Sequence, residues 1–328
     1  MKKNFEKLID FKGRSLYCSI ADLWVDPFKP VNKAIISHAH FDHLSFGCAE
    51  YICSYETSLL LKERLGNEIN IKVYNYGEIF KINGVSISFF PSGHIIGSSQ
   101  VRFEIAGEVW LVTGDFKTQE DSTCLGLEKI KTDFLICEST FALPIFNWEK
   151  TDIITNDISK WVNESPEKTS LLFCYSLGKA QRLLNELKNK NINKIFTHKS
   201  ITKINNCYKK LGIDIIDTIN FDKNNYPRDT SGSLILLPPS LKNKKFINSI
   251  KDPQTSFASG WMTIRALKKR SGYEKGFIIS DHADWNGLIN TIRESKAKKI
   301  YLNHGDGENL AEYLRSKDKL DITAIKNI

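Results

Sequence analysis

The sequence predicts an α/β protein whose β-rich core, residues 1–142 and 276–328, is interrupted by an inserted α/β unit at 143–275. Three observations predict it. Residues 14–138 are dominated by short β-branched and aromatic runs with turn signals between them, and from about Thr151 the rhythm changes to alternating helix and strand. Charge divides the same way: residues 143–275 hold 23 Lys and Arg against 12 Asp and Glu, a net of +11, whereas the remainder holds 23 against 26, a net of −3. The histidines and aspartates that cluster as candidate metal ligands stop before the insert and return only after it.

The elements follow in order. RSLYCSI, ADLWV, KAIIS, IKVYNY, VSISFF, QVRFEI, EVWLVT and DFLICE read as strands, and ETSLLLKERL as a helix with its apolar residues on one face. In the insert, TDIITNDISKWVNE is helical, SLLFCYS a buried strand, GKAQRLLNELKNK helical and NKIFTH a strand. ITKINNCYKKLG is then helical and GSLILLPP a strand, a rhythm that implies a parallel sheet. DTINFDKNNYPRDTSG is the best loop candidate, being rich in Asn, Asp and Gly. After Gly276 come strand FIIS, helix WNGLINTIRESK, strand KIYLN and a helix near ENLAEYLRSK.

Hydrophobic residues make up 41% and charged residues 26% of the 328, which excludes a disordered chain. No window approaches ~18 consecutive apolar residues, so no membrane span is expected. The start, MKKNFEKLIDFKGR, has no apolar region of a secretory signal. Seven scattered cysteines, odd in number and without a CxxC pair, read as reduced thiols and a cytoplasmic location. The basic insert is either a Lys-rich solvated surface or a face for a polyanion.

Only seven histidines occur, and three, His38, His40 and His43, lie within six residues beside Asp42, directly after the strand KAIIS. Imidazole nitrogen with carboxylate oxygen suits zinc or a similar divalent ion. Four donors in six residues exceed what one tetrahedral ion with an open water position can use, so two adjacent ions fit the count better. His94 in PSGHIIGSSQV, Asp115 after EVWLVT and His304 in YLNHGDGE each stand at the end of a strand. Together they complete five His and two Asp, the donor set of a two-metal site.

This pattern resembles the metallo-β-lactamase fold, whose HxHxDH motif stands here as His38-Ala39-His40-Phe41-Asp42-His43. The resemblance implies an αββα sandwich. It also implies one zinc at His38, His40 and His94, a second at Asp42, His43 and His304, Asp115 bridging, and Asp26 supporting the loop. Manganese is the alternative to zinc. Glu138 in ICEST and His282 in SDHAD flank the insert and resemble motifs of the β-CASP nucleases, in which a cap domain interrupts that core. By that resemblance Asp42, Glu138 and His282 are catalytic, with His282 oriented by Glu138 near the leaving oxygen. A carboxylate partner favours the protonated imidazole that a general acid requires.

Inside the insert, YSLGKAQR places Ser176, Gly178, Lys179 and Arg182 at a helix start, where free N–H groups and a lysine make a phosphate seat. The turn and the ASGWM segment resemble those of DNA-acting β-CASP enzymes, and His198 is read as structural or peripheral. Stretches along nearly the whole chain, among them PSGHIIGSSQVR, GEVWLVTGDFKT, CESTFALPIF and SDHADWNGL, resemble bacterial ligase-associated DNA damage response exonucleases. That resemblance implies a di-metal 5′-to-3′ exonuclease in DNA repair, with an ATP-dependent DNA ligase and a helicase as partners and no membrane. His304 is the residue type of the RNA-processing branch, which keeps an RNA-processing ribonuclease as the alternative. A small-molecule metallo-hydrolase needs neither the basic cap nor Glu138 and His282.

Overall fold

A period of two puts Val85, Ile87 and Phe89 on one face of strand Val85–Pro91, and Val101 and Phe103 on one face of Ser99–Ile105. All five are buried in a cluster shared with Leu16, Cys18, Leu23 and Val25 from a second sheet, so two sheets meet face to face. The structure, a computed structural model, describes residues 8–13, 15–222 and 229–325. Among these the chain forms two compact units, Met1–Phe146 with His282–Ile328, and Asn147–Asp281.

In the first unit one sheet runs in chain order through Ile9–Lys12, Ser15–Cys18, Leu23–Val25, Lys33–Ile35, Glu50–Cys53 and Ile71–Val73. The other runs Ile322–Ala324, Lys299–Asn303, Phe134–Glu138, Glu108–Val112, Ser99–Ile105, Val85–Pro91 and Ile79–Ile82. Its outer face packs Leu111, Leu135 and Cys137 against Leu288 and Ile292 of helix Trp285–Ser295 and Leu314 of helix Glu308–Asp318. Each such side chain taken fully from water contributes about 1.5–3 kcal/mol. On the first sheet's side, helix Tyr55–Leu65 buries Leu60 and Leu61. Helix Trp285–Ser295 begins where the Asp284 side chain accepts the N–H of Gly287 at 2.8 Å.

The second unit holds a parallel sheet in the order Ile219–Phe221, Lys194–His198, Ser233–Leu237, Thr169–Phe173, Pro253–Ala258 and Lys275–Phe277. The strands TSLLF and SLILL, apolar but for their leading Thr and Ser residues, are buried along their length, as strands covered on both faces must be.

Both boundaries differ from the expected 142/143 and 275/276. Phe146 stacks edge-on against Phe141, and its carbonyl accepts the N–H of Trp285 at 3.0 Å, which ties it to the first unit. Lys275–Phe277 pairs with Pro253–Ala258 instead of opening a core strand through FIIS. The expected loop at 217–232 contains strand Ile219–Phe221, and its residues 223–228 lie outside the described residues. No helix among the described residues is long and apolar enough to cross a membrane.

Candidate metal centre

The site is built where strands end. Strand Lys33–Ile35 stops at Ile36, and the next residues turn across the sheet edge as Ser37 to His43, closing with the single 3-10 turn Phe41–His43. From the other sheet, Glu108–Val112 delivers Asp115 through Thr113 and Gly114. Gly114 has φ +55°, and a Cβ there would lie 2.9 Å from Ser37 Cβ and 3.2 Å from Ser99 O. Only glycine lets these two strand ends approach so closely.

Three groups of donor atoms converge, the atoms of each lying within 4.8 Å of one another: His38, His40, His94 and Asp115; Asp42, His43 and His304; and Asp115, Glu138 and His282. In the first, Nδ1 of His40 lies 3.1 Å from Nε2 of His38 and 3.0 Å from Nε2 of His94, and Asp115 Oδ2 is 3.6 and 3.8 Å from those Nε2 atoms. Bonds of ~2.0–2.1 Å at tetrahedral angles impose ligand separations of roughly 3.3 Å, so this group fits an ion. Asp115 stands between the groups: Oδ2 is 3.3 Å from Nε2 of His43 and Oδ1 is 3.7 Å from Nε2 of His304. Among the described residues, Nε2 of His43 and Oδ1 of Asp115 are buried and have no hydrogen-bond partner. Orphaned buried donor atoms of this kind fit a cation. The first group is largely enclosed, whereas the Asp42 side chain is 65% and that of His304 38% exposed, so the second group opens to solvent.

Neighbouring groups aim the ligands. Asp26 accepts the Ser37 N–H at 2.8 Å, the Ser37 hydroxyl at 2.6 Å and Nδ1 of His43 at 2.8 Å, which leaves Nε2 of His43 facing Asp115. Asp26 and His304 hold left-handed φ of +47° and +53°, strain of about 1–3 kcal/mol each that persists where surrounding contacts impose it. Burial pushes the His38 imidazole well below its ordinary range, and repulsion from His43 and His94 adds to this. Burial works against charge on His43 too, but the Asp115 and Asp26 carboxylates outweigh it and hold that ring well above its ordinary range. Burial likewise opposes charge on Asp115, yet His43, His304 and His282 hold its carboxyl well below the usual range. A divalent cation requires the ionised Asp115 and neutral ligating imidazoles, so at His43 it would take the place of the ring proton.

Glu138, at the end of strand Phe134–Glu138, binds Nδ1 of His282 at 2.8 and 3.0 Å through its two oxygens. Its Oε1 also accepts the Phe116 N–H at 2.7 Å, and its Oε2 accepts the Thr140 hydroxyl at 2.6 Å. The carbonyl of Phe116 accepts the Ala283 N–H at 2.7 Å, so Phe116 bonds Glu138 through its N–H and the residue after His282 through its carbonyl. His282 then points Nε2 toward Asp115, 3.9 Å from Oδ2. Sequence reasoning missed Ser37, Gly114 and Thr140. Ser37 and Thr140 sit beside residues it did select, but their role depends on which way a turn directs a hydroxyl.

The expected phosphate seat needs correction. Lys179 and Arg182 face inward, almost fully buried, on helix Lys179–Glu186. Nζ of Lys179 lies 3.0 Å from Asp281 Oδ2 and donates to Ile279 O at 3.2 Å. Arg182 donates to Ser280 O at 2.7 Å and to the Thr151 hydroxyl. A buried carboxylate and bare carbonyls need such donors, so these two cations are engaged within their own unit. The Gly178 N–H is taken by Gln181 Oε1 at 2.8 Å, and the half-buried Ser176 hydroxyl lies 3.2 Å from that of Ser200. His198 caps helix Lys199–Lys210, its Nδ1 accepting from Ser200 N.

The paired sheets, flanking helices and inserted parallel unit define a metallo-β-lactamase fold carrying a β-CASP cap. Residues 275–325 match the family model described as a Zn-dependent metallo-hydrolase RNA specificity domain. Among curated proteins, the chain is 28% identical over 310 residues to a "Probable DNA ligase" of Opitutus terrae, covering 93% of this chain and 30% of that protein. It is 33% identical over 118 residues to cleavage and polyadenylation specificity factor subunit 3 of Dictyostelium discoideum, covering 35% of this chain and 15% of that one. It is 25% identical over 181 residues to an RNase J-like protein of Methanocaldococcus jannaschii, covering 48% and 43%. The chain thus spans less than half the length of these relatives. A crystal structure of a protein of unknown function from Enterococcus faecalis superposes with a TM-score of 0.60 at 11% identity, over 90% of this chain and 79% of that one, a likeness of fold. These likenesses support a relationship to the metallo-β-lactamase β-CASP nuclease family.

Proposed function

We propose that this protein is a metal-dependent phosphodiesterase acting on nucleic acid, a 5′-to-3′ exonuclease with DNA as its substrate. The observation that carries the reading is the Glu138–His282 pair, set beside a seven-residue donor cluster and aimed at its central carboxylate. His38, His40, His94 and Asp115 would hold one divalent ion and Asp42, His43, His304 and Asp115 a second, with zinc favoured by the donor set. Bound there, divalent ions lower the pKa of water and offset the charge of a phosphate.

The protein's own groups do the rest. Glu138 fixes the tautomer of His282 by taking its Nδ1–H, and so directs Nε2 to the side where Asp115 lies. From Nε2 the imidazolium would give a proton to the sugar oxygen that departs as a water oxygen bonds to the phosphorus. Exposure of Asp42 and His304 leaves the approach open on the second group's side. The cap-bearing segment 143–275, net +11, supplies the field that draws a polyanion.

Similarity along 93% of the chain to a protein named for DNA ligation supports DNA and a ligase partner, and the proposal adds a helicase as a further partner. The second reading, an RNA-processing nuclease, is favoured by the description of the matching 275–325 domain and by relatives named for RNA cleavage. Purified protein loaded with Zn²⁺ or Mn²⁺ and given 5′- and 3′-labelled DNA and RNA oligonucleotides separates them. The proposal expects stepwise release from the 5′ end of DNA, and loss of cleavage by roughly 10²–10⁴-fold in His282→Ala with metal content unchanged. Degradation of RNA alone would transfer the assignment to the second reading, and full activity in His282→Ala would remove that residue from the mechanism.

A further inference from the structure

Phe41 is a large apolar side chain that the fold leaves in water, 59% exposed, in the turn Phe41–His43. Its chain neighbours, His40 and Asp42, both belong to the donor cluster, so its Cα lies within ~3.8 Å of theirs. Phe46, also 59% exposed, lies nearly parallel to it, with an interplanar angle of 17° and centroids 6.4 Å apart. The guanidinium of Arg64, from helix Tyr55–Leu65, sits 4.0 Å from the centre of the Phe41 ring. A cation on one face of the ring holds it in place and adds positive charge beside the cluster.

Two exposed rings set against a phosphate-cleaving centre match one chemistry in particular. An unpaired nucleobase offers a flat π-face at a fixed reach from the phosphate of its own nucleotide, and stacking on an aromatic side chain accepts any base. A base inside a duplex has both faces covered by its neighbours. We infer that Phe41, backed by Arg64 and flanked by Phe46, is a stacking platform for an unpaired base of the strand being cut. This rests on the nucleic-acid reading above and adds to it the state of the substrate, single-stranded at the scissile end.

The test uses the metal-loaded full chain, with Phe41→Ala, Phe41→Tyr and Arg64→Ala, on single-stranded oligonucleotides that carry either normal terminal nucleotides or abasic ones. Phe41→Ala should raise KM on normal strands by about 5- to 150-fold, the loss of one base–aromatic stack. Phe41→Tyr should stay near wild type, and Arg64→Ala should fall between. On abasic strands wild type should already show the loss, and Phe41→Ala should add nothing, a double-mutant cycle that isolates the stack. Metal content and thermal midpoint should not change, because the ring is exposed. Equal losses on normal and abasic strands, or an unchanged KM, would overturn the inference while leaving the nuclease reading intact. So would a Phe41→Ala protein that changes oligomeric state with KM unaltered, which would assign the rings to protein contact. Wild-type protein that cleaves neither DNA nor RNA would overturn the nuclease reading and this inference with it.

Discussion

Replacing Asp26 with alanine removes a residue outside the proposed ligand set and should disable the second metal group selectively. Asp26 accepts three hydrogen bonds, from Ser37 N–H, the Ser37 hydroxyl and Nδ1 of His43. The hydroxyl has another partner 3.0 Å away in Nδ1 of His38, so two buried donors are stranded, Ser37 N–H and the His43 ring. At about 1–3 kcal/mol for each unsatisfied donor, the metal-free variant should lose roughly 2–6 kcal/mol. That corresponds to a fall in Tm on the order of 10 °C. Freed of its anchor, His43 loses its fixed orientation, and affinity at its ion should drop about 10–100-fold. The His38, His40 and His94 group keeps its own contacts and should bind nearly as before. Competition titration with a chromogenic chelator resolves the two affinities, and calorimetry of metal-free protein reads the stability. Asp26→Asn retains an accepting oxygen and should recover part of both losses. Two ions bound with wild-type affinity in Asp26→Ala, or a Tm within ~2 °C of wild type, would refute the reasoning.

Three further outcomes follow from the same geometry. His43 is held above its unfolded value of about 6.5, so in metal-free protein its stabilising contribution is complete below that pH and is lost as pH rises through the higher folded value. An ion on Nε2 needs the neutral ring, so metal uptake should release a proton and tighten as pH rises through that same interval; affinity flat across it would contradict the assignment. Gly114→Ala combines left-handed strain of about 1–2 kcal/mol with a Cβ 2.9 Å from Ser37 Cβ, overpacking of about 1–3 kcal/mol, and should lower the urea midpoint and metal content together. An unchanged midpoint would show that the strand ends can part freely. Thr140→Val removes the donor to Glu138 Oε2 at nearly constant volume, and a hydrogen bond to a charged group of about 1.5–3 kcal/mol sets the loss in kcat at roughly 10–150-fold, with KM and metal content steady and Thr140→Ser restoring it. Equal kcat in the valine and serine variants would exclude this hydroxyl from holding Glu138.

Much of the donor set was legible in the sequence because its chemistry is local. His38, His40, Asp42 and His43 crowd six residues behind an apolar strand, and His94, Asp115 and His304 each follow a short β run, so residue type and position in an element were enough to select them. The α/β class was legible for a similar reason: period-two runs and alternating helix–strand rhythm are one-dimensional signals. Which groups share an ion, and which way a side chain faces, are set by contacts between residues far apart in the chain. Asp115 reaches His43 only because Gly114 lets two sheets close to contact, and Thr140 matters only because the turn after strand Phe134–Glu138 swings its hydroxyl back to Glu138. Lys179 and Arg182 show the same dependence in the opposite sense. A helix start after a Gly turn reads as an anion seat, but the carboxylate of Asp281, about a hundred residues later, draws both cations inward. Burial reverses the part a charged side chain plays, and burial is a property of the folded chain alone.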